Sequence, residues 1–108
     1  MIDDTIAKIQ RRLEQSAHLA PEKRQELLEL IAQLKTEIAS VPDADQVRSI
    51  AGFTEMSAHE ATRVQRRPET MKTAITGLES TVQGFEAAHP QLTAVVNRIA
   101  HALSSLGI

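Results

Sequence analysis

The sequence predicts an all-α protein: an antiparallel helical hairpin followed by two or three further helices, packed as a bundle with coiled-coil-like contacts. Three observations lead there. Apolar residues recur at 3-4 spacing in every long segment, prolines stand between those segments, and no strand-like alternation or hairpin turn competes.

The first helix carries Ile2, Ile6, Ile9, Leu13 and Ser16/Ala17 on one narrow stripe. Leu19-Ala20-Pro21-Glu22 follows. Proline suits the first helical position because its missing N–H would go unpaired there, and a neighbouring acid suits the helix dipole. A second helix from 21 to about 40 then aligns Leu27, Ile31, Leu34, Ile38 and Val41, with Leu30 widening the stripe. So short a connection implies an antiparallel hairpin about 25 Å long.

Val41-Pro42-Asp43 ends the second helix and offers Asp43 as a cap for a third. From 44 to about 66 the apolar face is small and partly polar: Val47, Ile50/Ala51, Thr54, Ser57/Ala58, Ala61 and Val64, with Phe53 and Met56 off it. Such a face predicts weak anchoring, or a packing surface for a second chain, and Pro68 is expected to end or kink the helix. A fourth helix, about 69–88, carries Met71, Ile75, Leu78, Val82 and Phe85. Gly77 and Gly84 lie well round from that face, each costing about 1 kcal/mol relative to Ala. His89-Pro90 repeats the stop and restart. The fifth helix runs to about Leu106, aligning Leu92, Val95/Val96, Ile99, Leu103 and Leu106, with Gly107 as a left-handed C-terminal cap. The chain thus reads as one domain, with a hairpin at 1–41, a weakly anchored middle at 42–70 and a helix pair at 71–108.

Composition narrows what such a protein can do. Among 108 residues there are two Phe, no Tyr and no Trp, and fifteen Ala, so the core is aliphatic and thin. A thin core predicts completion by another chain, most simply a homodimer. The shared stripe would be Ile6, Ile9, Leu13, Leu27, Ile31, Leu34, Ile38, Leu92, Val96, Ile99 and Leu103. Zero Cys excludes disulfides, thiolate metal sites and cysteine nucleophiles. The acidic, helix-like start Met1-Ile2-Asp3-Asp4 does not suggest a signal peptide, and no stretch approaches the ~20 apolar residues of a bilayer-spanning helix. A cytoplasmic protein without a membrane is expected. A net charge of −2 gives no global attraction to phosphate backbones. Locally, residues 41–60 hold four acids against Arg48, and 61–76 hold Arg63, Arg66, Arg67 and Lys72 against Glu69.

The C-terminal third, Phe85-Glu86-Ala87-Ala88-His89-Pro90-Gln91-Leu92 and then Leu103-Ser104-Ser105-Leu106-Gly107-Ile108, resembles a family of short bacterial proteins catalogued as a domain of unknown function. Leu19-Ala20-Pro21-Glu22-x-Arg24-x-x-Leu27 is similar too. The resemblance covers roughly 1–40 and 75–108, leaving the middle outside it. It implies a small helical protein and no assigned activity.

Chemistry-bearing patterns are sparse. Glu86 and His89 have the i, i+3 spacing of carboxylate-bridged di-iron bundles, but Glu14/His18 and Glu55/His59 are spaced i, i+4, so the set is incomplete. His59-Glu60 begins a zinc-protease pattern that Arg63 breaks. His89 fits better as a helix terminator or cap, with its ring near Phe85 and Glu86 in solvent. His101 falls opposite the apolar face of its helix. No Gly-x-Ser-x-Gly and no phosphate loop is present. The expectation is a non-enzymatic oligomerisation or protein-interaction module without cofactor or metal, its helix breaks and caps set by Pro21, Pro42, His89, Pro90 and Gly107. The alternative is a small nucleic-acid-associated regulator making phosphate contacts through Arg63, Arg66, Arg67 and Lys72.

Overall fold

The computed structural model describes residues 2–17, 19–65 and 67–107. They form α1 (Ile2–Gln15), α2 (Pro21–Ile38), α3 (Ala44–Ala61), α4 (Pro68–Ser80) and α5 (Pro90–Gly107), with no strand among them. Proline opens three of the helices. The carbonyls of Ala20, Arg67 and His89, each just before a proline, accept from the N–H groups of Arg24, Met71 and Thr93 at 2.9, 2.9 and 3.1 Å. Pro21, Pro68 and Pro90 therefore occupy positions whose N–H has no helical partner to lose. α3 starts differently: Pro42 stands outside it, and the Asp43 carboxylate accepts from the N–H groups of Asp45 and Gln46 at 3.0 and 3.2 Å.

α1 and α2 form the antiparallel hairpin, and α3 returns parallel to α1. Ile2 and Val47 share one groove at the N-terminal ends of those two helices, and Arg12 and Thr62 share another at their C-terminal ends. α4 runs back along α3, where Gln46 Nε2 donates to the Thr81 carbonyl. Around the bundle the order is α1, α2, α5, α4, α3 and back to α1, with α3 also touching α5.

All five helices feed one apolar cluster. The eleven residues expected to be shared with a second chain are between 0 and 4% exposed within this one. The radius of gyration, 12.8 Å, matches the roughly 13 Å expected of a compact chain of this length. The surface, 6177 Å², is close to the roughly 6,000 Å² of a monomer of this mass. The reason for expecting a second chain, a core too thin to close, does not hold. α3 explains why. Ala51, Thr54, Ser57, Ala58 and Ala61 are buried on it, and side chains this small let α1, α4 and α5 come close. Thr54 fits there because its Oγ1 donates to the Ile50 carbonyl at 2.7 Å, whereas the buried Ser57 Oγ has no hydrogen-bond partner. The middle segment expected to be weakly anchored thus packs on three neighbours.

Boundaries also differ from expectation. α3 ends at Ala61, where Thr62 N–H and Oγ1 both donate to the Ala58 carbonyl, so Val64 leaves the apolar face and is 83% exposed. Pro68 opens a helix rather than breaking one. α4 stops at Ser80, not near 88; Thr81 Oγ1 donates to the Leu78 carbonyl at 2.6 Å, and Gly84 takes φ +86°, a turn that a side chain would resist. Phe85 therefore belongs to a connection rather than to the α4 stripe. Gly107 is the last residue of α5 rather than a cap beyond its end.

Candidate interaction surface

The helix breaks are built locally. The Arg24 guanidinium donates to the carbonyls of Ser16 at 2.7 Å, Leu13 at 3.3 Å and Leu19 at 3.4 Å. Leu13 lies in the last turn of α1, where its carbonyl also accepts from Ser16 N–H at 3.4 Å, and Ser16 and Leu19 lie in the connection that follows. Pro21 starts α2 so that Arg24, one turn on, reaches back across the hairpin; this gives the Leu19-Ala20-Pro21-Glu22-x-Arg24 pattern a physical purpose. At the other connection the Phe85 and His89 rings stack with centroids 6.1 Å apart. His89 N–H donates to the Phe85 carbonyl at 2.7 Å. Glu86 is exposed and accepts from Gly84 N–H at 3.0 Å. The Glu86/His89 spacing thus serves a turn.

Histidines are dispersed: His59 lies near the end of α3, His89 before α5 and His101 on its outer side, while His18 lies outside the described residues. Among the described residues no three His, Cys, Asp or Glu side chains come together as metal ligands. No helix is long and apolar enough to cross a membrane.

The basic stretch divides. Arg63 pairs with Glu60 at 3.4 Å and donates to the Gln65 carbonyl at 3.3 Å. Glu60 is only 5% exposed, so Arg63 has a structural duty as partner to a buried carboxylate. Arg67 and Lys72 are exposed on or beside α4, and Arg66 lies outside the described residues.

Two of the open surfaces bear on function. The first is the outward side of α3, where Arg48, Ser49, Gly52 and Met56 follow one another at helical spacing and all are exposed. Met56 is 47% exposed, and nothing lies within 4 Å of where a Cβ on Gly52 would stand. The second is a groove of about 540 Å³ between the C-terminal half of α1 and the turn leaving α3, lined by Lys8, Arg11, Arg12, Ser16, Glu55 and Val64 among others. Sequence reading by apolar stripes passed over Lys8, Arg11 and Arg12. Their i, i+3, i+4 spacing was the available signal, since it puts three cations on one side of a helix.

A family model described as a domain of unknown function (DUF4404) matches residues 2–108, the middle segment included. No curated protein and no solved structure matches the chain.

Proposed function

The chain belongs to the DUF4404 family, a domain of unknown function, and we propose that it is a non-enzymatic interaction module whose partner is a second copy of itself, joined through the outward face of α3. The observation that carries this reading is Met56, left 47% exposed on a bundle that has already closed its core. Because the long Ile and Leu stripes serve that core, association falls to the outer surface. Ser49 and Gly52 give the face little bulk, so a second helix can approach closely. The face also complements itself. Two α3 helices crossed antiparallel about a two-fold axis at Gly52 set Met56 of one copy against Arg48 of the other, with Glu55 beside it, and Asp45 against His59. The Asp45–Arg48 pair within each helix is exposed and easily exchanged for these contacts.

Light scattering on the purified chain at tens of micromolar tests the reading. The expected mass is twice 11.9 kDa. Met56→Glu is expected to return it to the single-chain value with its helical circular dichroism unchanged. A wild-type monomer at that concentration rejects the dimer.

A second reading, a small nucleic-acid-associated regulator, is favoured by one observation: the turn after α3 that begins the basic stretch borders the same groove as Lys8, Arg11 and Arg12. A salt series with duplex DNA separates the two. Phosphate contacts weaken steeply as salt rises, whereas association through apolar contact hardly changes.

A further inference from the structure

We propose that the groove between α1 and the turn after α3 binds a compact polyphosphate group, the chemistry shared by inorganic tripolyphosphate and a nucleoside triphosphate. The proposal goes beyond the dimer reading and does not rest on it.

Lys8, Arg11 and Arg12, continued by Gln15, form a row about 10 Å long at 1.5 Å per residue. None of the three cations joins an ion pair among the described residues, a state they share with Lys35, Arg67, Lys72 and Arg98; what sets them apart is their row on one side of α1. A row of this length suits several linked phosphates better than a single one, and the guanidinium forks match phosphate oxygens two at a time. The row borders an open concavity of about 540 Å³, and all three cations are exposed along it.

Ser16 supplies an independent observation. It lines the same groove, is only 9% exposed, and its Oγ has no hydrogen-bond partner. A buried hydroxyl without a partner is costly, and a change of rotamer would let this one donate to an anion in the groove.

The plainer account is that the cations offset the negative C-terminal ends of α1 and α3. The charges decide against it as a full explanation. Each helix end carries roughly half a negative charge, and Glu55 and the exposed Glu14 on α1 add two more. The three cations on α1 balance that sum, and Arg24, seated on the α1 carbonyls, adds a fourth. The Glu60–Arg63 pair cancels. A positive surplus therefore remains at the groove of a chain whose net charge is −2.

Titration calorimetry on the full chain, with sodium tripolyphosphate and with ATP in separate arms, tests the proposal. Saturable one-to-one binding is expected with tripolyphosphate. Tighter binding of ATP identifies the source as a nucleotide resting its base on exposed Val64, and equal or weaker binding identifies the free polyphosphate. Arg12→Gln and Lys8→Gln should each weaken binding about tenfold, the scale of a charge-assisted phosphate contact, while Lys72→Gln, on another helix, leaves it unchanged. Ser16→Ala should weaken binding, and because its Oγ has no partner in the free chain it should leave the melting temperature unchanged or raise it; unaltered binding would remove Ser16 from the site. The proposal is overturned by no saturable binding in either arm. Equal losses from Lys72→Gln and Arg12→Gln also overturn it, as does binding to duplex DNA that tripolyphosphate does not displace.

Discussion

Gly77 shows how one residue can set the distance between two helices. A Cβ built there stands within 3 Å of three ring carbons of Phe53, so the bare backbone of α4 is what lets the ring of α3 lie across it. Two effects of Gly77→Ala then compete. Helix propensity favours Ala by about 1 kcal/mol, while forcing the ring aside costs about 1–3 kcal/mol. The expected outcome is a net loss of about 1 kcal/mol in denaturant unfolding, the overpacking cost exceeding the propensity gain. In a Phe53→Ala background the obstacle is gone, and the same substitution should raise stability by up to about 1 kcal/mol. Such a change of sign measures the contact directly. Sequence reading placed both residues off the apolar faces, because periodicity reports which side of a helix is apolar and not how closely a neighbour approaches it.

The hairpin and the α4–α5 connection show the same logic at the level of elements. α1 ends without a glycine cap, and Arg24 from the next helix takes over three of the carbonyls in and after its last turn. Removing that guanidinium in Arg24→Ala should cost about 1.5–3 kcal/mol, the range for hydrogen bonds involving a charged group. Arg24→Lys should recover only part of it, since an ammonium cannot span separate carbonyls as a planar fork does. Hydrogen exchange would locate the loss at the end of α1 and the turn into α2; uniform loosening of all five helices would contradict this assignment. Arg63 is a parallel case. Arg63→Ala strands the buried Glu60 carboxylate and should destabilise by about 1–3 kcal/mol, while Glu60→Gln, which removes the charge, should cost less. A pure nucleic-acid contact at Arg63 would leave unfolding unchanged.

For the whole molecule the decisive feature is that the apolar stripes close within one chain. Assembly, if it proceeds through α3, is added to a finished fold rather than needed to make it. Met56→Glu is therefore expected to abolish the dimer while shifting the melting temperature at high dilution by no more than a few degrees, as an exposed substitution should. Collapse of the fold together with the dimer would place the core between chains and refute this picture. Leu34→Ala makes the contrast: a fully buried side chain in the C-terminal half of α2 should cost about 2–5 kcal/mol, dimer or not.

Read alone, the sequence determined the helices and the sides they bury. The 3-4 spacing marked Ile6, Ile9, Leu13 and the other stripe residues as apolar contact, and the prolines marked where one rod stops and the next begins. These are properties of a few consecutive residues, so no distant neighbour is needed to read them. Only the tertiary structure decided that the small residues of α3 mean close packing on three helices rather than weak anchoring, that Val64 and Phe85 leave their stripes, and that a row of cations on α1 meets the turn after α3. The physical reason is that a short side chain on a helix face permits either a loose contact or a tight one. Which occurs depends on what the opposing helices bring to the same place, and a one-dimensional pattern does not record that.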